Sequence, residues 1–340
     1  MELYAGIDLH GNNNHTVMLG EDGAVVWERR LPNKLEAVLK RFEPDKERIR
    51  GVVIESTFNW YWLVDGLMEN GYRVHLAATS AIAKYQGLKH ADDRSDARWL
   101  AEMLRLGILH QAYIYPRKLR PVRDLLRKRL QLVRQRTANI LAVENQCARN
   151  DGLMPNANRV RKLQLEKLPQ WTPEQALAVR SNLKVIDCLD LQIRQIERQV
   201  LQHCRLRKDY QSLLSVPGVG RVLAMTIALE VGDIERFADA GQFASYCRCV
   251  GSQWLSNGKK KAEGNRKSGN KYLAWAFVEA AAFAIRYDPY VRRYYQRKAA
   301  RANKVVARKA VANKLARACY HVIKKAVPFK SELAFGPGGI

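Results

Sequence analysis

Two short apolar runs near the amino terminus each stop at a carboxylate: Leu3-Tyr-Ala-Gly-Ile-Asp8 and Gly51-Val-Val-Ile-Glu55. Such runs, bounded by polar residues, are too short for helices and read as buried strands. His15 to Leu19 and Ala24 to Leu31 read as two further strands, with turn residues at Gly20 to Gly23, so a three-strand meander is expected. Leu35 to Phe42, Trp60 to Glu69 and Asp92 to Leu106 read as helices, and Tyr72 to Leu76 as a short strand. An α/β domain over residues 1–116 therefore presents Asp8 and Glu55 near strand ends, where open α/β sheets tend to carry functional groups. Asp93 and Asp96 stand three apart at a helix start and share one face, with Asp92 as a rival for the role of Asp93. The four carboxylates Asp8, Glu55, Asp93 and Asp96 suit two hard divalent cations, Mg2+ or Mn2+, of the kind that assist phosphoryl transfer.

Charge points to the partner. The chain of 340 residues has a formal charge of +25, which calls for a polyanion. Residues 1–116 hold 14 Lys+Arg against 16 Asp+Glu, while residues 117–340 hold 44 against 17. Residues 117–208 read as a basic helical, coiled-coil region. Its first stretch, 117–136, has nine Lys+Arg with Asp124 as the one acid, and an apolar stripe at Leu119, Val122, Leu126, Leu130 and Val133. A second helix repeats Leu183, Ile186, Leu189, Ile193, Ile196 and Val200 at nearly coiled-coil spacing. Two long helices are expected, paired as a hairpin or between molecules, with Arg123, Arg127 and Lys128 directed at phosphates.

Residues 209–330 read as mainly helical. Pro217-Gly218-Val219-Gly220-Arg221 leads into an apolar helix and is similar to a helix–hairpin–helix turn. There Gly218, Gly220 and Arg221 would bring backbone N–H groups and a cation to a phosphate. Further on, Ser256 lies in a glycine-punctuated loop followed by Lys259, Lys260 and Lys261, with Lys267 and Lys271 in a second basic loop. A serine hydroxyl is a weak nucleophile and needs a base, a metal or electrostatic help. No histidine is near Ser256 in sequence, so metal-assisted attack on a phosphodiester is the expected route. Tyr272 to Ile285 reads as a buried helix. Arg286 to Lys325 carries thirteen Lys+Arg, one acid (Asp288) and the aromatics Tyr290, Tyr294 and Tyr295, a mixture suited to backbone tracking and base stacking. Residues 331–340 read as a frayed tail. The six scattered cysteines include no CxxC pair, which argues against a zinc site and a disulfide framework. With no signal peptide and no long apolar run, a cytoplasmic protein acting at the nucleoid is expected.

Taken in order, these motifs resemble the DEDD-type insertion-sequence transposases, relatives of the Piv DNA invertases and described as bridge-RNA-guided recombinases. Gly-Ile-Asp8 and Val-Ile-Glu55 resemble the first two acids of a RuvC-like (RNase H-like) domain. Asp93-Arg-Ser-Asp96-Ala97 resembles its closing D-x-x-D-A, which favours Asp93 over Asp92. Pro217-Gly-Val-Gly220, Gly232-Asp233 with Arg236-Phe237, and Ser256-Asn-Gly258 through Gly269-Asn270-Lys271-Tyr-Leu273 resemble the family's C-terminal transposase domain. Asn257 and the run Arg248-Cys249-Val250-Gly251 depart from the usual pattern, which leaves Ser252 as the alternative nucleophile. The resemblance implies DNA cutting and rejoining through a covalent phosphoserine at Ser256, with Mg2+ held by Asp8, Glu55, Asp93 and Asp96. It also implies a non-coding guide RNA that pairs with donor and target DNA. The expected assembly is a dimer to tetramer, with a composite site formed between subunits. Two other classes compete: a metal-dependent RNase H-fold nuclease or junction resolvase using water, and a non-enzymatic nucleic-acid-binding protein.

Overall fold

The computed structural model describes residues 1–78, 93–163, 171–251, 253–257, 259–263 and 268–336. The chain divides into two compact units, Met1–Arg117 and Lys118–Ile340.

In the first unit β1 (Leu3–Leu9), β2 (Asn13–Gly20) and β3 (Val25–Pro32) form an antiparallel meander, and β4 (Ile49–Glu55) and β5 (Val74–Ala77) extend it in parallel. The sheet order is β3-β2-β1-β4-β5. Alternation along β1 divides the two faces. Leu3, Ala5, Ile7 and Leu9 pack with Val38 and Phe42 of α1 (Leu35–Phe42) and with Leu63, Val64 and Leu67 of α2 (Tyr61–Glu69). On the other face lies α3 (Asp93–Arg105), whose Ala97 and Ala101 meet Val17 and Leu19, and whose Leu100 and Met103 meet Val53. A mixed sheet with helices on both faces agrees with the expected RNase H-like domain, and it is followed by many helices.

The second unit starts with two helices of 32 residues, α4 (Arg120–Asp151) and α6 (Pro173–Cys204), which pack on one another, with the short α5 (Ala157–Val160) between them in sequence. A capping box between Thr172 and Gln175, with Pro173 in the first turn, starts α6 ten residues before the first apolar position of the sequence pattern. Val179, Ile186, Ile193 and Val200 are buried at seven-residue intervals along it. The basic stretch expected to be uncompensated is partly neutralised from neighbouring helices: Arg129 pairs with Glu197 at 2.7 Å and Arg136 with Asp190.

The remaining helices form the largest core. These are α7 (Lys208–Leu213), α8 (Arg221–Val231), α9 (Ala240–Tyr246), α10 (Lys271–Tyr287), α11 (Pro289–Arg301), α12 (Lys304–Lys325) and α13 (Ser331–Phe335). Helix α8 is buried from Leu223 to Val231 and runs through the middle of this core. Helix α10, expected to be buried all round, leaves Val278 and Phe283 exposed and buries the stripe Leu273, Ala276, Phe277, Ala280, Ala281 and Ala284. The expected frayed tail is helical up to Phe335, whose ring is buried against Tyr294 at 5.4 Å. Tyr290, Tyr294 and Tyr295 are half-buried and pack against the edge of the core. A hairpin of β6 (Gln253–Ser256) and β7 (Lys259–Glu263) projects between α9 and α10 in sequence. Among the described residues no helix is long and apolar enough to cross a membrane.

Candidate active site

The first group forms where β1 and β4 end. Ile7 pairs in parallel with Ile54, so the next residues, Asp8 and Glu55, end neighbouring strands at one level. Val53 faces α3, and the two-residue period turns Glu55 to the same face. Gly6 explains how α3 reaches them. A Cβ at Gly6 would lie 2.1 Å from the Ala97 carbonyl oxygen and 2.7 Å from the Ala101 amide, so α3 touches the bare backbone of β1. Asp93, one turn before Ala97, is thereby delivered over Asp8.

The side chain between them is a histidine. His10 Nε2 lies 3.2 Å from Asp8 Oδ2 and 3.1 Å from Asp93 Oδ2. One ligand atom from each of Asp8, His10 and Asp93 falls within 4.8 Å of the other two. Asp8 is buried, while Asp93 is exposed. Asn33 Nδ2 and Asn59 Nδ2 donate to the His10 carbonyl at 2.8 and 2.7 Å, and the His10 amide donates to Asn13 at 2.9 Å. Thr57 joins this frame to the end of β4, with its amide donating to the Glu55 carbonyl and its hydroxyl to Asn59 Oδ1. Glu55 and Asp96, both half-buried, stand outside the group of three, although Asp96 shares the helix face of Asp93. Asp92 lies outside the described residues. The sequence reading gave His10 no role; its place two residues beyond Asp8 was the available signal.

The second group surrounds the hairpin. Ser256 ends β6, half-buried, opposite Lys259. Asn257 follows at φ +52°, a left-handed conformation that asparagine tolerates better than most residues. Lys259 is exposed; Lys260 and Lys261 lie on β7. Ser252 and Lys267 lie outside the described residues. The two stems are tied where they enter the core: the Asn270 amide donates to the Tyr246 carbonyl at 2.7 Å, and Arg248 Nε to the Ser268 carbonyl at 2.8 Å. Asn270 also accepts from the amides of Tyr272 and Leu273, capping α10. Its amide nitrogen donates to the buried Glu230 at 2.7 Å, and Arg127 closes on the same carboxylate with bonds of 2.6 and 2.7 Å. Burial works against the charge of Arg127, but the Glu230 carboxylate more than offsets it and raises the guanidinium above the ordinary arginine range.

Two side chains expected at phosphates are placed otherwise. Arg127 is engaged with Glu230, and Arg123 is buried. Gly218 adopts φ +81°, and a Cβ there would sit 2.1 Å from the Ala280 carbonyl oxygen. The glycine is therefore required by the approach to α10. Gly220 differs: it caps α8 with open space where a Cβ would be, and Arg221 beside it is exposed. Lys128, Lys271 and Arg134 are also exposed. Lys128 and Arg134 line a cleft of about 650 Å³ with Gln131, Gln135 and Tyr272.

Residues 5–146 match the family profile of the IS110-type DEDD transposases, and residues 210–296 that of the transposase IS116/IS110/IS902 family. The chain belongs to the IS110-type transposases. Relatives of this IS110-type protein agree. It is 27% identical over 234 residues to a probable family 20 transposase of Pseudomonas aeruginosa, covering 66% of this chain and 68% of that one. It is 26% identical over 237 residues to the transposase for insertion sequence element IS1111A of Coxiella burnetii, covering 67% of this chain and 63% of that protein, which is under two thirds. It is 28% identical over 142 residues to the transposase for insertion sequence element IS1328 of Yersinia enterocolitica, covering 41% and 42%. A DEDD domain points to a divalent cation. The donors present fit one: two carboxylates converge, and His10 Nε2 between them is shielded from solvent without a hydrogen bond of acceptable geometry.

Proposed function

We propose that this IS110-type transposase cuts and rejoins DNA in two transesterifications through a phosphoserine at Ser256, directed by a non-coding guide RNA. In the first, Ser256 Oγ bonds to the scissile phosphorus, the bond from phosphorus to a deoxyribose oxygen breaks, and the serine proton passes to the departing oxygen by way of solvent. In the second, a deoxyribose hydroxyl of the partner strand attacks the phosphoserine, and the serine recovers its proton. No water is consumed, so bond energy is conserved for rejoining. Asp8, Asp93, Glu55 and Asp96 hold the divalent cations, Mg2+ or Mn2+, whose chemistry is to stabilise charge on the phosphate oxygens.

The observation that carries the metal-dependent part is the meeting of Asp8 and Asp93, far apart in sequence, around His10. The serine is supported by its position at the end of β6 opposite Lys259, on a hairpin whose stems are hydrogen-bonded together. Exposed Arg221, Lys259, Lys271 and Lys128 are the cations we assign to nucleic-acid phosphates, together with Lys260, Lys261 and Lys267. The guide RNA and the dimer-to-tetramer assembly, with acids and serine from different subunits, rest on the family resemblance. A second reading has water as the nucleophile. It is favoured by the match to a DEDD-type domain, whose carboxylates would hold a cation able to activate water.

Purified protein incubated with its element-end DNA, guide RNA and Mg2+ decides between them. A protein–DNA adduct that survives denaturing electrophoresis is expected, absent in Ser256→Ala, with nucleic-acid binding retained in that variant. Cleaved DNA free of protein, undiminished in Ser256→Ala, would establish the water mechanism instead. Asp8→Asn and Glu55→Gln are expected to abolish cutting in either case.

A further inference from the structure

We propose that His10 is itself a ligand of the cation at Asp8 and Asp93, and that it biases the site toward a first-row transition ion over magnesium. The inference rests on the reading that these carboxylates bind a divalent cation.

Three observations converge on it. The first is spacing. Adjacent ligand atoms of an octahedral ion with bonds of about 2.1 Å lie about 3 Å apart. His10 Nε2 stands 3.2 Å from Asp8 Oδ2 and 3.1 Å from Asp93 Oδ2. The second is the state of that nitrogen. It is shielded from solvent and makes no hydrogen bond of acceptable geometry, although two carboxylates adjoin it. A ring placed there only to neutralise the acids would direct its N–H at one of them. The third is rigidity. Asn13, Asn33 and Asn59 occupy both backbone polar groups of His10, so the imidazole is rooted in a fixed frame. Metal sites are commonly built on such supporting hydrogen bonds.

The chemistry of the donors then sets the preference. Magnesium takes oxygen ligands and retains water, whereas an imidazole nitrogen is a good ligand for transition ions. Manganese(II) accepts the same octahedral oxygen shell and tolerates one nitrogen in it. One histidine among carboxylates therefore separates two ions that carboxylates alone scarcely distinguish.

The test uses the full-length protein, with Mn2+ and Mg2+ as probes and no nucleic acid. Mn2+ binding is followed by the loss of its free-ion EPR signal, Mg2+ by competition, and coordination by the 14N modulation in pulsed EPR. Wild-type protein is expected to bind Mn2+ at least about tenfold more tightly than Mg2+ and to show the 14N modulation. His10→Gln is expected to lose the modulation and to weaken Mn2+ binding about tenfold or more, with Mg2+ affinity changed far less. Absence of 14N modulation in the wild-type complex, which needs no variant to fold, would overturn the assignment. So would unchanged Mn2+ affinity in a folded His10→Gln protein. Asp8→Asn tests the underlying reading separately: if it binds both ions normally, the carboxylate site itself is wrong, whatever His10 does.

Discussion

Asn270 and Glu230 are joined by a 2.7 Å hydrogen bond in the interior of the second unit, and each has a further task. Asn270 caps α10 and ties that helix to Tyr246 at the foot of the Ser256 hairpin. Glu230, on the buried helix α8, holds Arg127 of α4. A single carboxylate thus connects the long basic helix to the hairpin that carries the proposed nucleophile.

Breaking that connection is expected to be costly. Removing one partner of a buried ion pair leaves the other charge unpaired, at about 3–5 kcal/mol. Glu230→Ala and Arg127→Ala should each lower the urea midpoint accordingly. Arg127→Met combined with Glu230→Leu should cost less than either alone, because no charge is then stranded. Single-variant losses under about 1 kcal/mol would show that the pair is not sealed from water.

Gly6 allows the contact between α3 and β1. Gly6→Val is expected to force α3 outward, at about 1–3 kcal/mol from overpacking, and to separate Asp93 from Asp8. Calorimetric Mn2+ titration and thermal unfolding should both record the change. Gly11→Ala, where a Cβ would meet nothing within 4 Å, is the control and should match wild type in both.

The frame around His10 predicts a quieter variant. Asn59→Ala removes one of the two side-chain donors on the His10 carbonyl and the acceptor of the Thr57 hydroxyl. About 1 kcal/mol of stability and about tenfold in cation affinity are expected to go with it. Unaltered affinity would mean that the backbone turn alone positions the ring.

Thiol chemistry reports on the second core. Burial pushes the thiols of Cys204 and Cys249 up to about 11 and about 12, and those of Cys247 and Cys319 upward as well. The thiolate is the reactive form, so at pH 8 these four are expected to be silent toward Ellman's reagent, and to stay so at pH 9. Exposed Cys188 should react, and all six thiols should react in denaturant. Fast modification of Cys249 in native protein would indicate that the base of the hairpin opens readily.

Much of the first unit is legible in sequence because its signals are local. The runs ending at Asp8 and Glu55 alternate with turns and helices, so strand identity follows from period and length. The D-x-x-D spacing puts Asp93 and Asp96 on one helix face wherever that helix packs. Local pattern is weaker in the second unit. Arg127 and Arg129 look alike as basic residues on an amphipathic helix, yet one binds Glu230 on α8 and the other Glu197 on α6. The partners are about 70–100 residues away, and no local spacing announces them.

In the first unit the sequence by itself determined which segments become strands and helices, and that carboxylates stand at the strand ends, because those follow from side-chain periodicity and the turn residues between. Tertiary structure alone decided that His10 stands between Asp8 and Asp93, that Arg127 turns inward to Glu230, and that Gly218 serves helix packing. These depend on distances between segments remote in the chain, and such distances are set only when the cores close.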